Sequence, residues 1–130
     1  MKKTLYTFTS AQTKKLYSKE NTLHILKFPN LIIRIVKNIP DSCWGFTSIH
    51  KPYTIYIKKL KSWDILETVL THELLHFLFR DNNWNNKTCT KKFSEEDICE
   101  MLDGQIVSYV KEIINKVIKR VKRCFKKIGE

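Results

Sequence analysis

The clearest signal in the chain is a change of pattern at Leu31. The stretch LIIRIVK (31–37) is β-branched and apolar, CWGFTSI (43–49) alternates around Gly45, and YTIYIKK (53–59) sets Tyr53, Ile55 and Ile57 against Thr54, Tyr56 and Lys58. Alternation of this kind puts successive side chains on opposite faces of a strand. The breaks between the runs, NIPDS and HKP, hold the Pro, Asp, Asn and Ser that turns use. Three strands, paired antiparallel, are the expectation. Upstream the pattern is weaker. Ser10 stands as a cap at the head of a short helical stretch with Ala11, Leu16 and Tyr17, and NTLHILKF (21–28) either continues it or opens a new element.

From Ser62 the period lengthens. Ser62 is an N-cap type, and Asp64 and Glu67 follow in the first turns, where the helix dipole favours carboxylates. The helix is expected to run to about Arg80. Its apolar residues, from Trp63 and Ile65 to Leu78 and Phe79, go nearly all the way round, which marks a central helix covered on several sides. The Asn-rich DNNWNNKTCTKK (81–92) fits neither helix nor strand. Ser94 caps a second long helix, with Asp97 three residues on as its partner. In the later turns Val110, Ile113, Ile114, Val117, Ile118, Val121, Phe125 and Ile128 share one face, and the basic residues from Lys111 to Lys127 take the other. The fold class predicted is α+β, with a small antiparallel sheet of about three strands packed on a central helix and a long C-terminal amphipathic helix.

Composition narrows this picture. A chain of 130 residues has room for one compact domain with a real core, and a single domain over 1–130 is expected, ending in a basic helical stretch at about 111–128. With 42% hydrophobic residues and only 3 Gly and 3 Pro, long disordered linkers are not expected. Cys43, Cys89, Cys99 and Cys124 are scattered with no CxxC pair, the usage of reduced thiols in a cytoplasmic protein. The opening MKKTLYTFTSAQ has two lysines, but Thr4, Thr7, Thr9 and Ser10 break the apolar core that a signal peptide needs. No run of about eighteen apolar residues offers a transmembrane segment. Oligomeric state is not legible.

The central helix carries the candidate chemistry. In HELLH, His72 and His76 are one turn apart, so both imidazoles project from the same face and reach one ion at roughly 2.0–2.1 Å. Glu73 lies about 100° round from His72, where a carboxylate leans over an open coordination position without being a ligand. The competing reading is a buried structural helix, since a lone core histidine is usually satisfied by hydrogen bonds. Two histidines and a glutamate in a mostly apolar helix are harder to satisfy, because an unpaired buried polar group costs roughly 1–3 kcal/mol.

A catalytic zinc takes three protein ligands and a water, so a third ligand is needed. His24 and His50 qualify by type. In the following helix, extending the stripe of Val110 backwards gives Val107, Ile106, Asp103, Glu100, Cys99 and Glu96, so three carboxylates interrupt an otherwise apolar stripe. An acidic first turn in solvent would look the same.

His72-Glu73-x-x-His76 followed by Glu96 and Glu100 resembles the gluzincin zinc metallopeptidases, whose pattern is HExxH and then ExxxD on a following helix. The interval of twenty residues from His76 to Glu96 matches the spacing of thermolysin-like members. The chain also resembles the minimal members of that clan and the short HExxH proteins of phages and mobile elements, over about residues 31–110. The resemblance implies a minimal zincin-like fold and a peptide or protein substrate. It implies one catalytic Zn2+ on His72, His76 and Glu96, with Glu73 as general base and proton shuttle and Glu100 as an acceptor that orients a ligand histidine. Glu100 stands where the pattern has Asp, and Glu95 replaces Glu96 if the helix begins one residue out of register. For an oxyanion, His50, Tyr53 and Tyr56 are the nearby residue types. The strand YTIYIKK, directly before the active helix, is a candidate edge for pairing with an extended substrate.

Charge raises a second class of function. The net charge is +11, and from Lys111 to Lys127 eight basic residues stand against one acid, Glu112. A basic end attracts nucleic acid, acidic lipid or an acidic partner. The alternative to a peptidase is therefore a nucleic-acid-binding or regulatory protein that uses this helix, with a structural or vestigial metal site. With Phe125 its one aromatic and Asn115 its one amide, the segment lacks interleaved aromatics and the paired Asn or Gln positions that read bases, so only weak electrostatic contact through Lys111–Lys127 is expected. On a membrane surface the Ile and Phe face would enter lipid, but that face is more simply a core face.

Overall fold

The computed structural model describes residues 3–4, 8–48, 53–78 and 108–128. Lys3–Thr4 (β1) and Phe8–Thr9 (β2) pair antiparallel ahead of helix α1, Ser10–Tyr17. The main sheet is built from β3 (Thr22–Phe28), β4 (Leu31–Val36), β5 (Gly45–Ser48) and β6 (Thr54–Lys58). Two helices complete the described chain, α2 (Trp63–Leu78) and α3 (Ser108–Ile128). The architecture is α+β.

The sheet departs from the expected one in two ways. It has four strands rather than about three, because NTLHILKF is a strand: β3 joins β4 through the two-residue Pro29–Asn30 turn, where Asn30 takes a left-handed φ of 63°. Asparagine tolerates that conformation well. The sheet is also mixed. Its order is β3-β4-β6-β5, with β4 and β6 parallel and the other two pairs antiparallel.

Burial explains the order. Ile33 and Ile35 of β4 and Ile55 and Ile57 of β6 are sealed on one face, while Val36 and Tyr56 are sealed on the other. Strands apolar on both faces belong in the middle of a sheet. YTIYIKK is therefore an inner strand, and the expectation that it forms an edge for substrate is corrected: among the described residues β3 and β5 are the edges. All four residues of β5 are buried, whereas His24, Ile25 and Lys27 of β3 are exposed.

Each face of the sheet has its own core. On one, Leu66, Val69, Leu70, Leu74 and Leu75 of α2 and Ile114, Val117 and Val121 of α3 pack on the sheet isoleucines. On the other, Phe8, Leu16, Val36, Ile39, Cys43, Phe46 and Tyr56 form a smaller cluster under α1. The cap of α1 is Thr9, one residue before the expected Ser10. Its hydroxyl accepts from Gln12 N–H at 3.1 Å, and Gln12 returns a side-chain oxygen to Thr9 N–H at 2.9 Å. Leu66 N–H bonds the Ser62 carbonyl, as expected for a helix that begins after Ser62. Ile113, placed by periodicity on the inner face of α3, is 39% exposed and lies at its margin.

Two further expectations meet the fold here. Cys43 is fully buried and disulfide-bonded, whereas Cys124 is free. The reduced-thiol expectation is thus corrected at Cys43. No helix among the described residues is long and apolar enough to cross a membrane.

Candidate metal centre

Helix α2 lies against β5 and β6, and the sequence of β5 decides how closely. A side chain at Gly45 would put its Cβ 2.7 Å from Val69 Cγ1 and 2.9 Å from Glu73 Cγ. Glycine is what lets the helix settle here, the reason a strand carries one where another element comes close. Two residues on along the same face, Thr47 meets the same glutamate. Its hydroxyl donates to Glu73 Oε1 at 2.5 Å and also lies 3.3 Å from the Glu73 carbonyl. Glu73 itself is 0% exposed. A buried carboxylate needs donors to be tolerated, and the edge strand supplies one.

The histidines sit on a different flank of the helix. Both are half-buried, with ring centroids 4.5 Å apart and planes inclined at 78°. Their Nε2 atoms are 2.9 Å apart. Two ligands of one tetrahedral zinc, each at roughly 2.05 Å, stand about 3.3 Å apart. The pair therefore converges on one point and needs to open by only a few tenths of an ångström to fit the ion. Burial first, and the neighbouring His72 second, push the His76 imidazole down to about 4, so it is neutral at physiological pH. Neutral imidazole is the form that binds metal.

The structure thus brings His72 and His76 together and seats Glu73 on strand β5. Among the described residues no third His, Cys, Asp or Glu completes a metal-binding group with them. Glu95, Glu96 and Glu100, the expected third-ligand and orienting residues, lie outside the described residues, as does His50. His24 is exposed on β3, the edge of the sheet farthest from β5.

Tyr56 is excluded from a role at the histidines by the fold. It faces the α1 side of the sheet with its ring 5.8 Å from that of Tyr17, and burial pushes its hydroxyl far above the ordinary range. Tyr53 packs edge-on against Phe77, the residue after His76, with centroids 5.9 Å apart. Sequence reasoning missed Thr47 and Gly45. Glycine inside an alternating strand was the one available sign of a close approach, and Thr47 carried no sign at all.

Comparisons of the chain with protein-family models, with curated proteins and with solved structures find no match in any of the three.

Proposed function

We propose that the protein is a zinc-dependent hydrolase of peptide bonds, with a peptide or protein as substrate. The observation that carries this reading is the 2.9 Å approach of His72 Nε2 and His76 Nε2, one residue away from a wholly buried glutamate. His72 and His76 would hold the ion, with Glu96 as third ligand on the pattern of the gluzincins and Glu95 as its alternative. A bound zinc ion supplies Lewis acidity, making a water nucleophilic near neutral pH and drawing electron density from a carbonyl.

The chain's own residues supply the rest. The Glu73 carboxylate takes the proton from the attacking water, holds it, and passes it to the leaving amine. Thr47 fixes the orientation of that carboxylate through Oε1, and Gly45 keeps the space in which it lies. The low basicity of His76 keeps it available as a ligand rather than as a cation. Glu100 would accept a hydrogen bond from a ligand histidine and fix its tautomer.

Metal analysis of the purified chain beside Glu73→Gln and Glu96→Ala tests the proposal. Zinc near one ion per chain is expected, kept in Glu73→Gln without hydrolysis of a casein or peptide-library substrate, and weakened in Glu96→Ala. A chain that takes up no zinc on reconstitution sinks it.

A further inference from the structure

The basic end of the chain has a structural context that its sequence lacks. A cavity of about 450 Å³ opens between the β6–α2 connection and the last turns of α3, lined among the described residues by Lys59, Leu60, Lys61 and Phe125. The Phe125 ring packs on Trp63, the first residue of α2, with centroids 5.4 Å apart. Lys122, one turn before Phe125, holds its ammonium 5.8 Å from the centroid of Trp63. Lys61, Lys122 and Lys126 are exposed, while Leu60, Trp63 and Phe125 are half-buried. Lys59 and Lys61 give the cavity a cationic lining and Leu60 and Phe125 an apolar one, with Trp63 and Lys122 packed beside it.

We propose that this cavity and the adjoining face of α3 bind single-stranded nucleic acid. Phosphates need cations, and Lys61 in the lining and Lys122 beside Trp63 supply them. An unstacked base needs a flat apolar surface, and Phe125 beside Leu60 and Trp63 supplies it. A volume of this size is enough for one nucleotide. Duplex fits less well, because its bases stay stacked inside and leave the aromatic floor unused. A lipid surface fits less well again. It would take up the apolar face of α3, yet Ile114, Val117 and Val121 of that face are already buried in the core. Phe125, the one aromatic of the Lys111–Lys127 segment, is thus joined by Trp63 from α2.

Fluorescence anisotropy of a labelled oligothymidylate of about twelve nucleotides, with the full chain between about 50 and 200 mM salt, tests the proposal. Three variants accompany it. Lys61→Glu/Lys122→Glu is expected to weaken binding at least tenfold and to reduce the slope of log affinity against log salt by about 1.4, two contacts' worth. Phe125→Leu is expected to weaken binding about 5- to 100-fold with the slope unchanged. Lys14→Glu/Lys15→Glu makes the same change of charge on α1, under the opposite face of the sheet, and is expected to cost less than about threefold. Circular dichroism confirms the fold of each variant. Three outcomes overturn the proposal: equal losses in the two charge-reversal pairs, tighter binding of duplex of equal length, or binding to phosphatidylserine vesicles with none to the oligonucleotide.

Discussion

Helices α2 and α3 pack against each other and share one core, yet they treat their polar residues in opposite ways. On α3 every described cation, from Lys116 to Lys127, is exposed, and the buried positions are Ile114, Val117 and Val121. On α2 a glutamate is wholly buried and two histidines are half-buried side by side. A cation on a solvated face costs almost nothing to place and contributes little to stability. A buried carboxylate is costly unless its neighbours are arranged to receive it. The sheet is arranged for it: Gly45 yields the space and Thr47 the hydrogen bond. Charge on α3 follows the amphipathic pattern, whereas Glu73 on α2 runs against the pattern and is compensated by the sheet.

The sharpest way to break this contrast is at the glutamate. Glu73→Gln keeps the shape and the bond to Thr47 but removes the base, and a loss of about 100- to 10,000-fold in hydrolysis at unchanged zinc content is expected. Zinc lost together with activity would mean that Glu73 serves the structure and not the chemistry. Next in size is the space around it. Gly45→Ala drives a Cβ into Val69 and Glu73, and a destabilisation of about 1–3 kcal/mol should appear in urea unfolding. An unchanged midpoint would show that α2 is not held as closely to β5 as described.

Thr47→Val removes the donor to Oε1 while keeping the side-chain volume. A fall of about 10- to 100-fold in kcat with KM little changed, restored by Thr47→Ser, would assign it to positioning the base. A KM effect alone, or no rescue by serine, would assign it to packing. The cobalt-loaded chain gives a readout that does not depend on turnover, since the pH dependence of its visible spectrum should move in Thr47→Val and in Glu73→Gln alike.

The histidine pair yields a pH dependence. His76 is held at about 4 in the folded chain, below its ordinary value of about 6.5. Between these values the unfolded chain takes up a proton that the folded chain refuses, so stability is full above about pH 6.5 and declines as the pH falls towards 4. Urea midpoints of the chelator-treated protein should fall over that window, and less steeply in His76→Ala. A midpoint that rises with acid would contradict the burial of the pair.

The smallest effects belong to α3. Lys116→Ala and Lys119→Ala should change stability by less than about 0.5 kcal/mol. Arg120→Ala should cost somewhat more, because Arg120 donates to the Lys27 carbonyl at 3.0 Å and stacks over Phe28 at 4.6 Å, tying the helix to the exposed edge strand. Thermal melts that rank Arg120 with its lysine neighbours would remove that distinction.

How much of this was legible depends on the range of the forces involved. The runs that became β4, β5 and β6, the start of α2 after Ser62, and the amphipathic face of α3 all follow from local periodicity and capping. The strand β3 was ambiguous because HILKF suits a helix or a strand equally, and its pairing with β4 settled the matter. The parallel pairing of β4 with β6 is a contact across twenty-two residues, from Ile32 to Thr54, and nothing local encodes it. The same distinction divides the site. The four-residue spacing of His72 and His76 is a property of the helix, so their convergence could be read directly from the sequence. Thr47 lies twenty-six residues from Glu73 and meets it only because β5 is the edge strand under α2.

By itself, then, the sequence determined the strands from Leu31 to Lys58, the start of the histidine helix, the side-by-side histidines, the charge of the last helix and its division into two faces, because each depends on residues within a turn or two of one another. The tertiary structure alone decided that YTIYIKK is an inner strand, that Glu73 is sealed against Gly45 and Thr47, and that Phe125 packs on Trp63 and lines a cavity with Lys59 and Lys61. Those outcomes come from which faces the long-range pairing of strands and helices buries together, and burial is a property of the assembled chain.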